Sequence, residues 1–254
     1  MKKSLIAVIA ALLPLCTATV QAGSLVDLAV VDRTTGERIP VYSHRGRLYI
    51  PGAPGQKYSL LVTNKTGARV LTVASVDGVN VITGETAAPS QSGYVLGSWG
   101  SVSIAGWRKS MSEVAAFFFT PLPDSYAART DRPGNVGVIG VAVFREYQPP
   151  RPPAALMQQA PSADSARREA ESSADAVPRA APRPEDKLGT GHGERETSEV
   201  TWTDFRRASE VPSELISIYY DSRANLIARG IIPGRAHAAP NPFPGFRFAP
   251  DPRG

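Results

Sequence analysis

Three histidines, His44, His192 and His237, fall in three different regions of this 254-residue chain. No helical His pair or Cys/His spacing therefore offers a tetrahedral metal site. The densest cluster of reactive side chains is Gly189-Thr-Gly-His-Gly-Glu-Arg-Glu196. Three glycines around His192 could present its imidazole to a ligand, with Glu194 or Glu196 beside it, and an imidazole so placed is a candidate general base. A base needs an orienting partner, and none is visible. The plainer reading is a flexible glycine-rich lead into the C-terminal segment. Asp221-Ser222 could be imagined with His192 as a Ser-His-Asp set. Adjacent residues point in different directions on either regular backbone, however, and helix capping accounts for both. No G-x-S-x-G elbow, phosphate-binding glycine loop or dinucleotide fingerprint is present. The expectation is a protein that is not an enzyme, with no catalytic residue, metal or cofactor.

Binding chemistry is better represented. Aromatic faces stack on sugar rings, and Trp99, Trp107, Tyr94 and Tyr126 could line a carbohydrate platform, with Arg108 and Lys109 adding hydrogen-bond donors. Trp99, Trp107, Arg108 and His192 are the candidate ligand contacts; the alternative for the aromatics is packing in the core and rim of a β-sandwich. Paired carboxylates, Asp124 with Asp131 or Asp77 with Glu85, could bind calcium or act as acid and base. No loop carries the alternating oxygen ligands of a calcium site, and turn formation explains Asp77. Asn64-Lys65-Thr66 has the spacing of a glycosylation triplet. Near the C-terminus, Phe243, Phe246 and Phe248 are spaced among prolines. Prolines lower the entropy cost of binding and spaced phenylalanines fill apolar pockets, so these three are candidate contacts for a protein partner.

The elements that must position these residues are strands. Between residues 23 and 148, β-branched and aromatic runs alternate with Gly, Asn, Asp and Ser clusters. Leu25–Val31, Leu48–Ile50, Tyr58–Thr63, Val70–Val76, Val79–Ile82, Tyr94–Leu96, Val102–Ile104, Val114–Thr120 and Val136–Phe144 read as strands. Two junctions look like hairpins: Asn64-Lys65-Thr66-Gly67, and Asp77-Gly78, a dipeptide preferred where both central residues need positive φ. Asn135–Phe144 carries apolar or glycine residues on both faces, which suits a central strand covered on two sides. The pattern predicts a mainly β protein built on an antiparallel β-sandwich over 23–148, of a jelly-roll-like type.

Either side of that domain the composition changes. Lys2 and Lys3, an apolar run from Leu5 to Leu15, and Val20-Gln21-Ala22 read as a cleaved secretory signal peptide over 1–22, with no transmembrane segment left after cleavage. The single cysteine, Cys16, leaves with it, so the exported chain must rely on its own core instead of disulfides. The net charge of +5 includes Lys2 and Lys3, and no block of like charge points to nucleic acid. Residues 149–187, rich in Pro, Ala and charges, predict a disordered linker. A strand at Leu215–Tyr220 and a helix at Arg223–Arg229 make a small α+β unit over 188–235, too small to stand alone and so docked on the sandwich or a partner. Residues 236–254 are an extended tail rich in Pro and Phe.

Several segments together are family-like: Val76-Asp-Gly-Val-Asn-Val-Ile-Thr-Gly-Glu85, Gly106-Trp-Arg-Lys-Ser110, Ser125-Tyr-Ala-Ala-Arg129 and Asn135–Phe144. On these the chain resembles a family of uncharacterised exported proteins of Gram-negative bacteria, over roughly residues 70–148 and in C-terminal patches. The resemblance implies export and the domain division. It brings no activity with it. The expected role is that of an envelope or secreted protein of structural or interaction type, in the periplasm or outside the cell. The alternatives are a carbohydrate- or peptidoglycan-binding module and an enzyme using His192. The expected partner is accordingly an envelope protein or a glycan.

Overall fold

The computed structural model describes residues 24–149 and 187–233. The expected signal peptide, nearly all of the expected linker and the Phe-bearing tail lie outside the described residues. The protein is mainly β, two packed sheets. The strands are β1 (Val26–Asp32), β2 (Tyr42–His44), β3 (Arg47–Gly52), β4 (Lys57–Asn64), β5 (Val70–Val76), β6 (Val79–Asn80), β7 (Tyr94–Leu96), β8 (Ser101–Ile104), β9 (Gly106–Arg108), β10 (Glu113–Pro121), β11 (Val138–Arg145), β12 (Leu188–Thr197) and β13 (Glu214–Ser222). Two short helices follow β10 and β13, α1 (Tyr126–Arg129) and α2 (Arg223–Ala228). Among the described residues no helix is long and apolar enough to cross a membrane.

One sheet runs β1-β4-β10-β12, with β8 also paired to β4 and β9 to β10. The other runs β2-β3-β13-β11-β5-β6, with β7 also on β5. Every pairing is antiparallel except β3 with β13, so the second sheet is mixed. Alternation builds the core. Along β4, Tyr58, Leu60 and Val62 point inward, and opposite them β11 contributes Ile139, Val141 and Val143. A file of rings runs through the interior: Trp107 edge-on to Phe117 at 5.1 Å, Phe117 stacked on Tyr58, Tyr58 on Phe119 at 4.4 Å, and Phe119 against Tyr220. Such pairs contribute about 0.5–1.5 kcal/mol each beyond area burial. As its apolar faces require, β11 lies between β13 and β5, and its outer residues Ala142 and Phe144 are covered as well.

Three readings change. The Asn64–Gly67 junction is not a hairpin, because β4 and β5 belong to different sheets. The buried Asn64 amide donates to the carbonyls of Ala68 and Gly97, both at 2.7 Å, holding the crossover arch. That amide is not accessible for glycosylation. The Asp77-Gly78 hairpin does form, with φ of 53° and 73° at its two central residues. Second, Gly189–Glu196 is strand β12, not a flexible lead. Gly189, Gly191 and Gly193 alternate onto one face, where a Cβ at Gly191 would sit 2.2 Å from the Phe118 ring. Glycine is there for close packing, which offsets its poor strand propensity. Third, the segment expected as a small α+β unit docked on the sandwich or a partner instead supplies β12 to one sheet and the interior strand β13 to the other. Outside the sheets, α2 with Ile231 and Ile232 packs on Tyr49, and Phe205 packs on the outer cluster around Phe144.

Candidate functional site

The 198–213 segment leaves β12 in one sheet and must reach β13 in the other. It is tied down on the way: the Ser198 and Val200 amides donate to the Ser112 and Met111 carbonyls, and the Ala208 and Ser213 amides to those of Arg145 and Val143. Between this strap and the rim formed by Ser90–Gly97 lies a groove of about 1490 Å³. Its floor is apolar (Leu71, Ile82, Val95 and Phe205), and serine and threonine hydroxyls stand along its sides.

Arg108 lines the groove. It extends from the end of β9, and both Nε and Nη2 donate to the Tyr94 hydroxyl, at 3.3 and 3.2 Å. Nη2 also donates to Ser198 Oγ at 3.1 Å, and Nη1 to the Ser110 carbonyl at 3.3 Å. Arg207 on the strap reaches back across the groove to the Pro89 and Gln91 carbonyls at 2.9 and 2.6 Å, with its guanidinium 4.2 Å over the Phe144 ring. Partial burial lowers its pKa from the usual arginine value. The indole of Trp202 stands 81% exposed on the strap wall.

The other candidates separate. Trp99 sits in the turn whose Gly97 and Gly100 line the groove, and it is 69% exposed with φ 58°. Trp107 is only 2% exposed, and its indole N–H donates to the Gly191 carbonyl at 3.3 Å. It belongs to the core and is closed to a ligand, because β9 turns it inward where Arg108 turns out. His192 lies on β12, away from the groove lining, with its ring 5.4 Å from that of Tyr126. Burial lowers its pKa, helped by the nearby charges of Lys109, Arg129 and Arg195. Among the described residues no carboxylate orients it. Asp221 and Ser222 are on the other sheet and are used locally: Ser222 Oγ accepts the Asn225 amide to cap α2, and Asp221 pairs with Arg229 at 3.5 Å. Phe243, Phe246 and Phe248 lie outside the described residues. Among the described residues no group of three or more His, Cys, Asp or Glu could hold a metal ion.

One polar constellation escaped the sequence reading because its members are far apart in the chain. Asp77, 1% exposed, accepts hydrogen bonds from the Gly137 amide at 2.9 Å, the Thr190 amide at 2.8 Å and the Tyr220 hydroxyl. Thr190 Oγ1 bridges onward, 2.8 Å from the Tyr220 hydroxyl and 2.6 Å from that of Tyr58. With Tyr220 donating to the carboxylate, the chain runs one way: Tyr58 to Thr190, Thr190 to Tyr220, Tyr220 to Asp77. Burial pushes the Asp77 carboxyl up to about 6, against the pull of its hydrogen bonds. Burial and the Asp77 charge push both tyrosines well above the usual phenol value. All four side chains are sealed from solvent, so this is a clamp tying β4, the β5–β6 turn, β12 and β13 together, with no access for a substrate.

The strap residues Trp202, Phe205, Arg206 and Arg207 were also missed. Two arginines beside an aromatic residue in an otherwise polar stretch were the available signal. No family model matches this chain, and neither a curated protein nor a solved structure is similar to it.

Proposed function

We propose that this is an exported, non-enzymatic β-sandwich protein of the cell envelope whose groove binds a glycan. The observation that carries the reading is the groove beneath the 198–213 strap, where apolar floor, hydroxyls, arginine and an exposed indole converge. Sugars present both C–H faces and hydroxyls, and that lining answers both. Arg108 and Trp99 of the sequence-derived set lie in or beside it, while His192 and Trp107 do not. Export is supported by the residues before the sheet: β1 begins at Val26, just beyond the Ala22 processing site. A glycan panel, including peptidoglycan fragments, titrated while tryptophan fluorescence is followed tests the reading. Binding should change the emission, and the change should shrink in a folded Trp202→Ala protein. A flat response across the panel would overturn it.

A further inference from the structure

The groove holds an unusual balance of charge. Arg108, Lys109, Arg206 and Arg207 line it, and Glu210 is the one carboxylate among its lining residues. Each of the four cations is held by neutral groups. Arg108 and Arg207 rest on carbonyl and hydroxyl oxygens. Arg206 lies 3.9 Å over the Tyr147 ring, and Lys109 is 5.8 Å from that of Tyr126. Elsewhere on the sheets cations commonly find carboxylates, as in Arg33–Glu196, Lys57–Glu194, Arg69–Glu146 and Arg195–Glu113.

A partly desolvated guanidinium satisfied only by neutral oxygens keeps its full positive potential, and a groove in which four cations face one carboxylate concentrates that potential. The volume of about 1490 Å³ exceeds the roughly 300–1,000 Å³ of a small-molecule pocket, so the occupant is extended. Resting on the glycan reading above, we infer that the ligand is an acidic polysaccharide. Its repeating negative groups face Arg108, Lys109, Arg206 and Arg207 while its rings lie against Trp202. The exposed Lys109 and Arg206 steer and hold the anions, and Arg108 and Arg207 fix the geometry of the walls.

The test uses the chain from Gly23 to Gly254 and a hexagalacturonate, compared with its fully methyl-esterified form, which keeps the sugar and removes the charge. Poly-glutamate serves as an anion without sugar. The acidic glycan should bind at least ten-fold more tightly than the ester, with affinity falling as salt is raised. A double variant, Lys109→Gln with Arg206→Gln, should lose about ten-fold for the acid and nothing for the ester. Both positions are exposed, and an unchanged melting temperature certifies the fold. Equal binding of acid and ester would overturn the charge inference and leave the glycan reading standing. Binding of neither to the groove, together with a flat glycan panel, would remove both. Poly-glutamate binding as well as the acidic glycan would overturn the assignment to a sugar polymer.

Discussion

Replacing Asp77 by Asn separates the two things that carboxylate does in the interior, accepting hydrogen bonds and carrying a charge. Asn tolerates the positive φ of 53° at this turn, so the backbone is undisturbed. The amide keeps one accepting oxygen and turns its NH2 toward a donor, either the Thr190 amide or the Gly137 and Tyr220 pair. Losing such a buried bond costs about 1–3 kcal/mol. Charge works the other way. The folded carboxyl titrates at about 6, against an ordinary value of 3.8. Between those values the folded state holds a proton that the unfolded state has lost, so this group's contribution is fully present below pH 4 and is lost as pH rises through 6. At about 1.4 kcal/mol per pH unit, the loss is about 3 kcal/mol. Urea unfolding of both proteins at pH 4 and pH 8 isolates this. The lowered carboxyls of Asp32 and Glu214 push stability the opposite way, but equally in both proteins. At pH 4, where the native carboxyl is protonated and also places one O–H among these donors, the variant should be less stable by only about 1 kcal/mol. At pH 8 it should equal or exceed the native protein. A stability difference that is the same at both pH values would refute the burial argument.

Other substitutions follow from the packing. Trp107→Ala should cost about 3–5 kcal/mol in urea unfolding, because the indole is core and its N–H holds Gly191; a variant of native stability would contradict its burial. At Gly106, a Cβ would sit 2.1 Å from the Ala115 carbonyl oxygen. Gly106→Ala must therefore part β9 from β10 and should lower the melting temperature by more than a surface Gly→Ala such as Gly134→Ala, where nothing lies within 4 Å. Glu214 gathers the backbone amides of Ser24, Leu25 and Val26. Glu214→Ala should cost about 1–2 kcal/mol and speed amide exchange at those three residues first. Unchanged exchange there would show that the carboxylate does not anchor β1.

Local chemistry was legible and long-range partnership was not. The Asp77-Gly78 hairpin was readable because positive φ at two successive residues is a property of the dipeptide itself. Asn64–Gly67 carries similar turn residues, yet whether a turn returns to its own sheet or crosses to the next depends on strands far along the chain. The two-faced apolar pattern of Asn135–Phe144 announced an interior strand correctly. The glycines of β12 hid a strand, because the ring and the Ser125 side chain that exclude a Cβ there come from other segments. Arg108 stood out beside a tryptophan, while the strap that completes its groove returns only after the intervening residues 150–186. The Asp77 clamp was invisible for the same reason: its Tyr220 partner is 143 positions away.

The place of β13 bears on how the molecule comes to exist at all. Among the described residues an interior strand of the second sheet is the last strand, and its glutamate secures the amides at the start of the first, 189 positions earlier for Leu25. Nearly the entire polypeptide must be present before either sheet can close, and contacts of such long sequence separation make for slow folding. A chain ending at Gln148 would expose one edge of β11 and one edge of β3, unpaired strands that invite association with other chains. Such a truncation should bind hydrophobic dyes and aggregate instead of forming a smaller sandwich. Under the export proposed above, late closure would be an asset: no early, stable piece forms to obstruct passage through a membrane.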